Sequence, residues 1–251
     1  MRGKVIDIEG IDRVGKHTQS ILMEDHLHDL KIPVKVVSFP NYGRVQARPV
    51  EDYLAGDFPD ITGFEASMLY ALDRSITFRE ATMCEFLWND NIVTQRANLY
   101  EFLEAGGWIV CDRYTPSNYI HQSARQMVNY DPEKPIKDQI DMQLIENISS
   151  LEYDMLKIPR PDEIFYLSLD REVEDKLLDK ECEGKKVRGD IHENDETHLD
   201  KAALIGAELA NLYEWHIIDC NCDLGNHILP PDDIHNMIFK YLEEYTKAYT
   251  K

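Results

Sequence analysis

Apolar positions along the chain alternate between two patterns. Short, nearly continuous apolar runs lie near Val5 to Glu9, Val34 to Ser38, Trp108 to Cys111, Ile164 to Leu169 and His216 to Asp219. Runs of this kind predict strands buried on both faces, as in a parallel sheet. Between them apolar residues recur at helical spacing, as at Ile21, Leu22, Leu27 and Leu30. Strand and helix alternating in this way predict an α/β fold, a doubly wound five-stranded parallel sheet with helices on both faces. Ligands of such sheets gather beyond the carboxyl ends of the strands. Asp12 and Arg13, Phe39 to Tyr42, and Asp112 to Tyr114 follow three of those ends and are the first candidates for function.

The first strand runs into KVIDIEGIDRVGKHTQS at residues 4–20, a phosphate-binding loop of the P-loop NTPase type. Gly10 and Gly15 let the backbone curl so that successive N–H groups of Ile11, Asp12, Arg13 and Val14 point inward. The next helix adds the positive end of its dipole, and Lys16 brings a mobile cation to the β- and γ-phosphates. The strict pattern has Ser or Thr after the lysine to hold Mg²⁺; here His17 stands in that slot, with Thr18 behind it.

With 251 residues and 43% hydrophobic content, one large α/β domain over 1–251 is expected. A formal charge of −20 disfavours a non-specific nucleic-acid binder, so an anionic small molecule must be drawn by a local basic cluster. Five cysteines form no paired framework, and Cys220 and Cys222 one residue apart, without a second pair, are read as incidental rather than as a metal site. No signal peptide and no apolar run of membrane-spanning length is read, which predicts a cytoplasmic protein with no membrane or nucleic-acid partner. The charge-dense run 180–198, KECEGKKVRGDIHENDETH, reads either as a flexible flap between two helices or as a solvated linker.

Several motifs recur in order along the chain: Glu9-Gly10-Ile11-Asp12 with Gly15-Lys16 and Thr18-Gln19, then Phe39-Pro40-Asn41-Tyr42-Gly43, Leu69-Tyr70-Ala71-Leu72-Asp73-Arg74, Cys111-Asp112-Arg113-Tyr114, Ser117-Asn118 and Pro161-Asp162. In this set the chain resembles thymidylate kinases, nucleoside monophosphate kinases that move the γ-phosphoryl of ATP onto dTMP. The resemblance implies catalytic roles for Asp12, Arg13, Lys16 and Arg113. It places ATP on residues 10–18 and Arg188, and Mg²⁺ on Asp12, Thr18 and Asp112. For dTMP it implies Asp12, Phe39, Tyr42, Tyr70, Arg74, Arg113, Ser117, Asn118 and His121. Arg113 would bind the acceptor phosphate and Tyr70 would stack on the base. Asn118 would bond the pyrimidine edge, and His121 would sense the 2′ position. A homodimer is the family's usual state.

Read without the family, Arg74 is first a surface ion-pair partner of Asp73 or a neighbouring carboxylate, and Tyr70 a core aromatic. The chain is longer than the family pattern near 77–98 and 126–160, where insertions are expected. A loop basic residue, Arg13, competes with the run's Lys185, Lys186 and Arg188 for the transition-state role. Arg13 is expected to fill it, because an anchored loop loses less conformational entropy in aiming a side chain. The competing functions are a deoxynucleoside kinase, a kinase for another pyrimidine monophosphate, and a nucleotide-binding regulatory protein without turnover.

Overall fold

The computed structural model describes residues 2–88, 91–170, 173, 196–222, 227–247 and 249. Its centre is a parallel sheet of five strands in the order β2-β5-β1-β6-β7, formed by β1 (Val5–Gly10), β2 (Val34–Ser38), β5 (Trp108–Asp112), β6 (Glu163–Ser168) and β7 (His216–Asp219). These are the five strands predicted from the apolar runs. The ladder shifts the fourth to begin at Glu163, because Ile6 of β1 pairs there, and it carries the third through Asp112, which pairs with Ile8 and Ser38.

Side chains alternate across β1. Ile6 and Ile8 enter one apolar layer with Met23 and Leu27 of α1 (Lys16–Asp29) and Ile234, Ile238 and Leu242 of the last helix, α8 (Pro231–Thr246). Val5 enters the other layer, packed by α4 (Leu99–Glu104), α5 (Thr115–Gln126) and α7 (Glu196–Leu212) through Phe102, Ile120, Ala124, Ile205 and Leu209. Each fully buried side chain of this size contributes about 1.5–3 kcal/mol of transfer free energy, so the two layers clamp the sheet from both sides. By the same alternation Asp7 and Glu9 face the second layer, and both are fully buried.

Between β2 and β5 lie α2 (Arg48–Leu54) and α3 (Gly63–Arg79). The latter starts on a capping box in which Thr62 and Glu65 satisfy each other's backbone N–H groups. The expected insertion near 77–98 contains an antiparallel hairpin of β3 (Thr82–Trp88) and β4 (Asn91–Ala97). Lys35 Nζ ties it to β2 by donating to the Met83 carbonyl at 3.0 Å, and Phe86 meets Phe102 edge-on at 5.5 Å. Residues 126–160 hold α6 (Met142–Ser149), which runs into a π-helical turn at Ser150–Met155. Of the charged run, residues 180–195, including Arg188, lie outside the described residues, and 196–198 begin α7.

Candidate active site

The loop that leaves β1 needs its glycines. At Gly10, φ is +149°, and a Cβ there would stand 2.6 Å from the Leu167 carbonyl oxygen of β6. Gly15, at φ +96°, turns the chain into α1, whose first residue is Lys16. Lys16 Nζ lies over the loop, donating to the Gly10 carbonyl at 3.0 Å and the Ile11 carbonyl at 2.6 Å, with the Asp12 carboxylate at 3.7 Å. Burial, reinforced by the Arg113 charge, lowers this amine to about 8. Arg13 takes a left-handed φ of 62°, uncommon outside glycine. His17 Nδ1 sits 3.3 Å from Asp112 Oδ2, and Thr18 is exposed.

A cavity of about 380 Å³ opens beside the loop, at the carboxyl ends of β1, β2 and β5. All nine residues expected at the acceptor nucleotide, Asp12, Phe39, Tyr42, Tyr70, Arg74, Arg113, Ser117, Asn118 and His121, line it. They come from five segments separated in the chain: the loop after β1, the end of β2, α3, the end of β5 and α5. One turn of α3 sets Tyr70 and Arg74 on a common face, and Tyr70 packs edge-on against Tyr53 of α2 at 6.2 Å.

Arg113 is the hub. It leaves the end of β5 at φ +67°, with its own N–H held by the Ile8 carbonyl at 3.2 Å. Its guanidinium pairs with the Asp12 carboxylate and donates to Glu9 Oε1 at 3.4 Å, Ser117 Oγ at 3.4 Å and His121 Nε2 at 3.2 Å. Glu9 also accepts from the Ser117 hydroxyl and the Gly10 N–H. Burial alone would raise the Asp12 carboxyl, but Arg113 and Lys16 outweigh it and hold the group well below the usual carboxylate range. The phosphate loop and the cavity thus share one charge network.

Arg74 differs from both expectations read without the family. It is paired, but in the core rather than at the surface, and its partner is Glu152 of the π-helical turn rather than Asp73. Nε and Nη2 donate to the two Glu152 oxygens at 2.7 and 2.6 Å. Burial opposes the charge, yet the Glu152 carboxylate keeps Arg74 above the ordinary guanidinium value. Glu152 also accepts from Thr115 Oγ1 at 2.8 Å and Asn118 Nδ2 at 2.8 Å, and Asn118 gives a second bond to the Ser67 carbonyl at 3.2 Å. Asp73 instead accepts from the Asn41 N–H at 2.9 Å, holding the loop that carries Tyr42.

Sequence reasoning missed Glu152, which has no local signal in a stretch read as an insertion. It also missed Gln122, whose position one turn after Asn118 is a usable signal and whose side chain lines the cavity. Pro161-Asp162 lies at the opposite end of the sheet. There Asp162 accepts from the Val5 N–H at 2.9 Å, Lys4 at 3.2 Å and Arg2 at 3.1 Å, so its work is to tie β1 to β6.

Asp12 and Asp112 could supply hard oxygen donors to a divalent cation at the loop. Among the described residues no group of three or more His, Cys, Asp or Glu side chains could hold a metal ion unaided.

Comparison with known proteins agrees with this architecture. Over its whole length the chain superposes on a Candida albicans thymidylate kinase, covering 94% of that chain with a TM-score of 0.64 at 20% identity, which shows a shared fold. A Bordetella petrii thymidylate kinase is 28% identical over 130 residues, 52% of this chain and 53% of that protein. The thymidylate kinase of Plasmodium falciparum is 29% identical over 128 residues, 51% of this chain and 52% of its own. A relative of the same name from Ruthia magnifica is 27% identical over 194 residues, 77% of this chain and 78% of that one. The match thus spans about half the length of the first two relatives and more of the third. The family profile described as Thymidylate kinase matches residues 8–225, and with most of its length inside that match the chain belongs to the thymidylate kinase family.

Proposed function

We propose that the protein transfers the γ-phosphoryl of Mg²⁺-ATP to dTMP, giving dTDP and ADP. The observation that carries this is the shared network: Asp12 of the phosphate loop and Arg113 of the acceptor cavity are in direct contact. Donor and acceptor phosphates would therefore meet across a single ion pair, as in-line transfer between two polyanions requires. Residues 10–18 would hold the ATP phosphates, with Lys16 swinging from the loop carbonyls onto them and Arg188 joining from the charged run. Arg113 would take the acceptor phosphate beside Asp12, Tyr42 and Ser117. Tyr70, Arg74, Asn118, Phe39 and His121 would surround the nucleoside. Mg²⁺ would neutralise charge on the transferring group, held by Asp12, Thr18 and Asp112.

Arg13 is the proposed transition-state arginine, fixed in a loop that is ordered by its strand and helix. Arg13→Ala is then expected to lower turnover on the order of a hundredfold with modest changes in either KM, and Arg188→Ala clearly less. The reverse ranking at saturating substrates would move the role to the charged run. A homodimer is proposed through α3, where Met68, Leu72 and Ile76 recur at i, i+4 and i+8 and stand exposed. Among the described residues no helix is long and apolar enough to cross a membrane, and a cytoplasmic location is proposed.

The test is ADP release coupled to a panel of acceptors. ADP formation is expected with dTMP and not with thymidine. Release with thymidine alone would make the protein a deoxynucleoside kinase, and ATP binding without acceptor-dependent release would make it a binding protein.

A further inference from the structure

Behind His121, on the side away from Arg113, stands a residue that no motif singles out. His198, the last residue of the charged run, lies in the first turn of α7 and is 5% exposed. Its Nε2 is 3.3 Å from His121 Nδ1, and the two rings lie near parallel, 18° apart with centroids 5.6 Å apart. In sequence the two histidines are 77 residues apart. The contact therefore exists only because α5 and α7 pack side by side on one face of the sheet.

The direction of each hydrogen bond follows from donor and acceptor inventory. A guanidinium has only donors, so His121 Nε2, 3.2 Å from Arg113 Nη1, must accept. His121 in its neutral form then carries its proton on Nδ1 and donates it to His198 Nε2. His198 Nε2 must in turn be unprotonated, with the proton of that ring on Nδ1. The result is a directed relay from Arg113 through His121 to His198.

We propose that His198 is a positioning residue of the acceptor site: it fixes the tautomer and ring orientation of His121, and through His121 the aim of Arg113. The proposal rests on the kinase reading above for its catalytic consequence, but the relay itself is a property of the folded chain. Arg113 Nη2 is fixed by Asp12, while Nη1 is shared among Glu9, Ser117 and His121. Without an acceptor at His121 Nε2, Nη1 would lose the shortest of its three contacts, 3.2 Å against 3.4 Å to Glu9 and to Ser117. A misaimed ring has two effects, since His121 also lines the cavity: it withdraws that acceptor and changes the wall that the nucleotide meets. The relay also joins the acceptor site to the helix that leaves the charged run, so the position of α7 reaches Arg113 through two imidazoles.

Three variants of the full chain test this. His198→Leu fills the space without an acceptor, His198→Gln restores an acceptor at the place of Nε2, and His121→Leu removes the middle of the relay. The first readout needs no activity: long-range ¹H–¹⁵N correlation on histidine-labelled protein. His121 is expected as the Nδ1–H tautomer in the wild type and in His198→Gln, and to lose that signature in His198→Leu.

The second readout is steady-state kinetics. His198→Leu is expected to raise the KM for dTMP about tenfold, the equivalent of one lost hydrogen bond to an acceptor, with the KM for ATP within about twofold of wild type. His198→Gln is expected to stay near wild type. Adding His121→Leu to His198→Leu is expected to give little further loss, because both break the same relay.

The proposal is overturned if His121 keeps its tautomer and the dTMP KM is unchanged in a folded His198→Leu protein. Equal rises in both substrate constants without rescue by Gln would also overturn it, since a residue with only a packing role behaves that way. A wild-type protein with no dTMP-dependent turnover refutes the kinase reading instead, and the tautomer measurement then decides the relay on its own.

Discussion

Glu152 is the most exposing place to perturb the core beneath the cavity. The carboxylate is fully buried and each oxygen faces two donors: Oε1 accepts from Arg74 Nη2 and Asn118 Nδ2, Oε2 from Arg74 Nε and Thr115 Oγ1, all at 2.6–2.8 Å. Glu152→Gln preserves size but removes the charge, and whichever way the amide turns, its NH₂ points at an Arg74 N–H. The Arg74 side chain is 2% exposed, so its charge cannot recover hydration where it lies. Removing one partner of such a buried pair costs about 3–5 kcal/mol. That is a large share of the roughly 5–15 kcal/mol that holds a domain folded. For a chain of this size it corresponds to a drop in Tm of about 6–20 °C. Urea unfolding followed by circular dichroism measures it at equilibrium. The double variant Arg74→Met with Glu152→Leu removes both charges and is expected to recover at least half of the loss, because no unpaired ion remains. A shift below about 1 kcal/mol for Glu152→Gln, or a double variant as unstable as the sum of its singles, would refute the account of a buried charge held by this carboxylate.

Three further outcomes follow from the same geometry. Lys16 is lowered to about 8 by burial, so it is partly neutral at alkaline pH. A polyphosphate favours its charged form, so ATP binding at pH 9 is expected to take up a proton and to weaken by up to about tenfold per pH unit above 8. Calorimetry in buffers of different ionisation enthalpy checks this, and zero uptake would exclude Lys16 as the phosphate cation. Tyr70→Ala is expected to raise the dTMP constant roughly ten- to a hundredfold, from a lost stacking contribution of about 1–3 kcal/mol, with ATP unaffected; equal weakening of both substrates would make Tyr70 structural. Asp7 is fully buried, its two oxygens have no partner among the described residues, and burial, with Glu9 nearby, raises its carboxyl well above the usual value. A raised folded value means its stability contribution is complete below the unfolded carboxyl value near 3.8 and is lost as pH rises through the folded one. Asp7→Asn, neutral throughout, is therefore expected to gain on the wild type as pH rises from 4, at up to about 1.4 kcal/mol per unit, in urea midpoints taken at a series of pH values; parallel curves would show that Asp7 does not titrate differently on folding.

The local code of this chain was sufficient for its framework. A buried parallel strand is an uninterrupted apolar run because both of its faces are covered, and that signal lies within five or six residues. The phosphate loop is equally local, since two glycines and a lysine at fixed spacing dictate backbone curvature and charge together. Even the nine cavity residues could be gathered in advance, because a doubly wound sheet brings the ends of its strands to one edge and the motifs sit just past those ends.

What only the tertiary structure decided is which charged and polar groups answer one another. Arg74 meets Glu152 from 78 residues away, Asn118 turns its amide to the same carboxylate, and His121 finds His198 across two packed helices. No periodicity encodes these partners. The choice among many carboxylates and imidazoles of similar chemistry is made by which of them the packing of α3, α5, α7 and the π-helical turn withdraws from water together, where an unanswered charge would be too costly to keep.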